Sequence, residues 1–191
     1  MKKLLVLLCF ALCLLCACGR QDTPIQAGSV SESPAAEKSG AFDLDAFYGN
    51  PVTQDYADIR TLDEDYDAQQ AQLDGCFVIG PTVHNEHLYR EFMAHVQNHE
   101  DAFIRVAQTT IEGDLILQDL LYDSAADKVW LVFDFTRDAF AAQADRIITL
   151  REFDGTAEYS YDGHLYWIVY RGALADGEFE SENMFVVTMI Q

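Results

Sequence analysis

Hydrophobic positions divide the chain into three regimes. Leu4 to Ala17 is an unbroken apolar run behind the short basic start Met1-Lys2-Lys3, whereas the stretch from Gly19 to Gly40 has almost no large apolar side chain beyond Ile25 and Val30. From Ala41 onward apolar and polar residues interleave with recognisable periods, so this part carries the fold. Gly75 to Pro81 is apolar and closes on a Gly-Pro turn, which predicts a strand. Leu88, Tyr89, Phe92, Met93 and Val96 then recur at helical spacing; Asn85 is placed to cap that helix and Glu86 to complement the positive end of its dipole.

Phe103 to Thr110 alternates around Arg105, Leu115 to Tyr122 is strongly apolar, and Val129 to Phe135 alternates two apolar faces. The links Glu112-Gly113-Asp114 and Asp123 to Lys128 are short enough for antiparallel hairpins. Ala139 to Ala144 reads as helical or turn-like. Ile147 to Phe153, Thr156 to Tyr161, His164 to Tyr170 and Met184 to Ile190 read as further strands, with Asp162-Gly163 as a hairpin signal. Between Ala41 and Gln72 the reading is irregular or helical, with one short amphipathic turn over Phe42, Leu44, Phe47 and Tyr48. One helix followed by many closely linked strands predicts an α+β domain over residues 41–191, built on an antiparallel sheet with one main amphipathic helix.

The first two regimes change the picture from fold to location. A basic start and an apolar run shorter than the roughly 18 residues of a membrane span is the layout of an export signal, residues 1–17. Leu15-Cys16-Ala17-Cys18-Gly19 resembles the lipobox of bacterial lipoproteins, in which a thiol is alkylated with diacylglycerol and the chain is cut just before it. Small Ala17 before Cys18 selects that thiol over Cys16, which follows bulky Leu15. Two acyl chains hold a protein stably at a bilayer, so the expectation is a cell-membrane protein anchored on the extracytoplasmic face without spanning. The alternative is an ordinary cleaved signal that is rich in cysteine. Residues 18–40, with Pro24, Gly28, Pro34 and several serines, read as a flexible tether with a root-mean-square span of about 25 Å. Four of the five cysteines lie in or at the end of the signal. Cys76 is the one thiol left for the folded part and reads as a small buried hydrophobe.

Once the three acids and four bases of the first forty residues are set aside, 29 Asp and Glu face 8 Lys and Arg. That excess argues against nucleic acid as a partner; it reads as serving solubility alone, or else as attracting cations or a basic protein. Glu112, Asp114, Asp134 and Asp138, with Arg105 and Arg137 among them, fall at strand ends or links. They are read as one rim of the sheet able to hold a cation or polar ligand, or else as turn and ion-pair residues. Asp63, Asp65 and Asp67 have the opening spacing of a calcium loop, but Ala68 and Asp74 stand where that loop needs glycine and glutamate. His87, Glu91, His95 and His99 recur every four residues along one helix flank, which reads as a solvent-facing or boundary flank, with convergence of the imidazoles on a transition ion as the alternative. No cofactor is predicted, a divalent cation being the one candidate. The chain has no Gly-x-Ser-x-Gly elbow, phosphate loop or dinucleotide turn.

The pattern Ile104-Arg105-Val106, Thr109 or Thr110, Glu112-Gly113-Asp114, Leu120, Tyr122-Asp123, Asp134 and Thr136-Arg137-Asp138 resembles a family of uncharacterised Gram-positive lipoproteins known only as a domain of unknown function. The resemblance runs from about Tyr66 to Asp138, and the chain departs from it at Leu115, where the family often has proline. It implies an architecture and an envelope location and brings no activity or mapped site. The leading expectation is therefore a non-enzymatic binding lipoprotein. A cation-dependent hydrolase using the acidic rim and an inhibitor-like binder of a basic protein stand as alternatives, with Tyr159, Tyr161, Tyr166, Trp167 and Tyr170 as either core or contact surface.

Overall fold

A computed structural model describes residues 42–172 and 184–190, within a compact unit Ser39–Gln191. The signal, Cys18 and the tether lie outside the described residues. The chain begins with a layer of short helices: α1, Leu44–Tyr48, capped by the Asp43 carboxylate on the Ala46 N–H at 2.9 Å, and α2, Ala68–Leu73, capped by Asp67 on the Gln70 N–H at 2.8 Å. One-turn 3₁₀ segments at Pro51–Thr53 and Ile59–Thr61 fill the space between them.

β1, Phe77–Ile79, leads through α3, His87–Gln97, to β2, Ala102–Thr109. After β2 come β3, Leu115–Asp123, β4, Lys128–Asp134, and β5, Ile148–Phe153. These strands form a five-stranded sheet in the order β1-β2-β3-β4-β5. It is mixed, because β1 runs parallel to β2 across the α3 crossover while the other pairs are antiparallel. β6, Gly155–Tyr161, β7, His164–Tyr170, and β8, Met184–Ile190, form a second, three-stranded sheet in the order β6-β7-β8. The expected single antiparallel sheet is thus two sheets in a mostly β molecule, and the predicted one helix has two shorter companions among the described residues. The reason is visible at Asp154. That one residue separates β5 from β6, and its carboxylate accepts from Lys128 Nζ and, at 2.5 Å, from the Gly172 N–H, fixing the corner where the chain leaves the first sheet. Gly155 follows, and the Tyr170 hydroxyl lies 2.5 Å from where a Cβ would stand, so a larger residue would displace the ring.

Both faces of the five-stranded sheet are covered. On one, Phe47, Ile59, Tyr66 and Ala71 from the helical layer pack on Leu117, Leu121 and Val132. On the other, Tyr89 and Phe92 of α3 and Trp167, Val169 and Val187 of the second sheet pack on Ile104, Leu120 and Leu131. A strand buried on both sides needs apolar residues at odd and even positions alike, which is why Leu115 to Tyr122 reads as nearly continuous. The apolar stripe of α3 meets the sheet as its spacing predicts, but Asn85 does not cap it. Its backbone has φ 56°, and its amide donates to the carbonyls of Gln72 and Cys76 at 3.2 and 2.9 Å, tying the α2–β1 turn to the start of the helix. At the β6–β7 hairpin Asp162 and Gly163 both have positive φ, 49° and 79°, the turn whose twist matches the flanking strands.

Candidate functional site

Arg105 and Asp119 stand directly opposite each other on β2 and β3, with side chains 2% and 0% exposed. The guanidinium donates Nε to Asp119 Oδ1 at 2.7 Å and Nη2 to Oδ2 at 2.6 Å, and Nη2 also reaches the Ala57 carbonyl at 2.7 Å. Tyr48 donates its hydroxyl to Asp119 Oδ2 at 2.8 Å. Burial, reinforced by the neighbouring carboxylate, pushes the Tyr48 phenol far up, so it remains a donor. Burial alone would lower the Arg105 pKa, but Asp119 beside it more than offsets this and the value is raised. Arg105 is therefore not on a rim with the other candidates; it pins the helical layer to the sheet. Its strand position points into the covered face, where it takes the ion-pair role that stood as the alternative to a ligand rim.

Arg137 performs a related task at the strand end. Nη1 donates to the Asp63 and Glu64 carbonyls at 2.7 and 3.3 Å, Nη2 to Leu62 at 3.2 Å, and the guanidinium carbon lies 5.9 Å from the Tyr66 ring centroid. Three successive carbonyls thus converge on one fork. Asp134, 1% exposed, accepts from the Thr136 N–H and hydroxyl on Oδ1 at 2.8 and 2.6 Å, while its Oδ2 sits 3.6 Å from Arg137 Nε; neither of these last two atoms has a closer partner. Asp114 accepts from the Ala139 N–H at 2.9 Å, and Asp138 from the N–H groups of Phe140 and Ala141, each at 2.9 Å. Glu112 is exposed at the hairpin tip. Of the rim residues, then, Asp114, Asp134, Arg137 and Asp138 brace the turns after β2 and β4.

Bracing these turns brings two sequence-distant candidates together. Arg137 holds the Leu62–Glu64 backbone so that Glu64, Asp65 and Asp67 line an open cleft of about 350 Å³, whose opposite wall is Thr109, Gly113, Asp114 and Leu115 from the β2–β3 hairpin. Tyr66, between the acids, turns inward, and its hydroxyl meets Cys76 Sγ at 3.6 Å. Burial raises the Tyr66 phenol and pushes the Cys76 thiol up to about 11. Asp63, the first acid of the run, lines an adjoining hollow that shares Asp65, Tyr66, Asp67 and Gln69 with the cleft.

The histidine flank separates instead. His87, Glu91 and His95 are exposed on α3, but the helix ends at Gln97 and His99 lies beyond it with φ 55°. His95 Nδ1 meets Glu100 Oε2 at 2.7 Å, and His99 Nδ1 meets the Tyr122 hydroxyl at 3.1 Å. Among the described residues no three His, Cys, Asp or Glu side chains stand together in a way that could hold a metal ion.

Sequence reading overlooked Asp119, Tyr48 and Tyr66. For Asp119 the signal was present. The hairpin between Thr109 and Leu115 fixes the register, and counting four residues back on each strand sets Arg105 opposite Asp119. Tyr48 and Tyr66 meet their partners only through tertiary packing.

Residues 74–156 match the family model of a domain of unknown function, DUF4362. The matched stretch spans the whole five-stranded sheet with α3, leaving the helical layer and nearly all of the second sheet outside it. No curated protein and no solved structure matches the chain.

Proposed function

We propose that this protein is a non-catalytic binding module, lipid-anchored through Cys18 on the extracytoplasmic face of a bacterial membrane, and that its cleft receives a positively charged group of a basic protein. The observation that carries the binding reading is the convergence of Glu64, Asp65, Asp67 and Asp114 from two loops on one open cleft whose single guanidinium is already engaged by backbone carbonyls. With Arg137 so occupied, the free valences facing solvent are acidic. The formal charge of −20 adds long-range attraction for a basic partner and repels the anionic surface to which the anchor would hold it. The envelope location rests on the Leu15-Cys16-Ala17-Cys18 pattern and the tether composition.

Two experiments test the two halves. Cys18→Ala in the full chain should move the protein from the membrane to the soluble fraction and abolish incorporation of labelled palmitate; retention at the wild-type level refutes the anchor. For the cleft, the probe is a lysine-rich peptide titrated calorimetrically. Glu64→Gln with Asp65→Asn alters exposed carboxylates that cap no helix, so folding should be unchanged while affinity falls about three- to tenfold. An unchanged affinity refutes the site.

A further inference from the structure

The three most exposed large apolar side chains of the described residues stand beside the acidic cleft and its adjoining hollow. Ile111 is 100% exposed, Phe140 74% and Leu73 72%; Ile147, the next, is 50% exposed. Ile111 and Glu112 are the two central residues of the β2–β3 turn, which closes through the Gly113 N–H on the Thr110 carbonyl at 3.1 Å and the Thr110 N–H on the Asp114 carbonyl at 2.8 Å. Gly113 and Asp114, the two residues that follow, line the cleft. Phe140 reaches the same place from the link between β4 and β5: the Ala139 N–H donates to Asp114 at 2.9 Å, and Asp138 accepts from the Phe140 N–H at 2.9 Å. Leu73, the last residue of α2, lines the adjoining hollow with Asp63, Asp65 and Asp67.

Folding does not account for these side chains, since none of the three belongs to either core. Each leaves most of its apolar surface in water, a cost that burial against a partner would recover. One exposed leucine or isoleucine is ordinary in a soluble domain. Three gathered at one charged cleft form the kind of surface that another molecule covers.

Charge selects the occupant. Exposed apolar side chains are covered by lipid, by a second copy of the same chain or by another protein. Here Glu64, Asp65, Asp67 and Asp114 stand among them, and a formal charge of −20 repels both an anionic bilayer and another copy of the chain. A segment that brings positive charge to the acids and apolar side chains to their rim meets both features at once. We infer that the cleft and its apolar rim together receive an amphipathic cationic segment of a partner protein, its lysines or arginines against Glu64, Asp65 and Asp67 and its apolar side chains against Ile111, Phe140 and Leu73. This inference rests on the acidic cleft as the binding site, and adds that charge alone does not satisfy it.

The test uses the full chain in detergent, with empty micelles as the reference, and two peptides of equal length and charge titrated calorimetrically. One contains lysine and alanine, and the other has leucine at every second alanine. The leucine peptide should bind about tenfold more tightly. Ile111→Ser and Phe140→Ser should each weaken the leucine peptide about three- to tenfold and leave the lysine–alanine peptide unchanged. Circular dichroism of both variants should match the wild type, because both side chains lie outside the cores. Should Phe140→Ser fail to fold, Ile111→Ser and Leu73→Ser decide instead. Equal binding of the two peptides, or a leucine advantage that no rim variant reduces, overturns the inference and leaves the acidic cleft standing. If neither peptide binds, the cleft reading falls and the inference falls with it. Binding of the unacylated Cys18→Ala chain to phosphatidylcholine vesicles that Ile111→Ser abolishes, or concentration-dependent dimers broken by Ile111→Ser, would assign the rim to lipid or to a second copy of this chain and overturn the inference equally.

Discussion

Asp119→Ala probes the packing of the helical layer on the sheet at its most costly point. The substitution removes both carboxylate oxygens from Arg105, whose side chain is 2% exposed and keeps only the Ala57 carbonyl among its partners on Nη2, and it leaves the Tyr48 hydroxyl without its acceptor. Breaking one side of a buried ion pair typically costs about 3–5 kcal/mol, because the remaining charge stays desolvated and unpaired. Against a total stability of about 5–15 kcal/mol that is a large fraction, worth roughly 10–15 °C in midpoint for a domain of this size. The chain's two tryptophans suit the assay. Trp130 stacks on Phe42 at 4.1 Å on the helical-layer side, and Trp167 is buried on the opposite face. Urea unfolding followed by their fluorescence reports both cores at once. Replacing the pair together, Arg105→Met with Asp119→Leu, removes the orphaned charge and should recover most of the loss. If Asp119→Ala costs under about 1 kcal/mol, or if the double variant is no better than the single, the pair does not hold the layer as described.

Three other outcomes follow from the same geometry. Arg137→Lys substitutes a point charge for the fork that gathers the Leu62–Glu64 carbonyls, so amide exchange at Tyr66, whose N–H donates to Asp63, should quicken while strand amides are unaffected; equal protection would contradict the clamp. Cys76, with its thiol raised to about 11 from an ordinary 9, should resist alkylation at pH 8 until the protein is unfolded. Because the unfolded thiol ionises first, the stability this group contributes is full below pH 9 and is lost as pH rises to 11, about 2–3 kcal/mol in all. The raised phenols of Tyr48 and Tyr66 act in the same direction at higher pH. A urea midpoint that falls equally between pH 9 and 11 in wild type and Cys76→Ala would refute the assignment to Cys76.

Strand identity was legible in this sequence because the physics that sets it is local. Period-two alternation in Val129 to Phe135, the Asp162-Gly163 turn and the apolar density of Leu115 to Tyr122 depend on residues within one hairpin. The division into two sheets was not legible, since Asp154-Gly155 reads as a link between two strands of one sheet, and the Lys128 and Gly172 contacts of Asp154 that turn the chain away are tertiary. The parallel β1 was likewise hidden, because a short apolar strand carries no mark of its direction. Asp114 and Asp138 accept from the backbone N–H groups of Ala139, Phe140 and Ala141, whereas Arg105, at a strand centre on a covered face, meets the buried Asp119, a pairing set by register across the hairpin. The joining of Asp65 and Asp67 with Asp114 depended on Arg137 reaching the Leu62–Glu64 backbone, a contact that no spacing along the chain announces.

The acidic cleft is the central claim, and mapping where a basic ligand lands tests it most directly. Amide chemical shifts of the protein, recorded as a lysine-rich peptide is added at low salt, should move at Tyr66, Gln69, Gly113 and Asp114 and saturate, and the shifts should collapse when salt shortens the screening length to about 3 Å near 1 M. Shifts scattered over the whole acidic surface without saturation, or shifts that survive high salt at residues remote from the cleft, would contradict it.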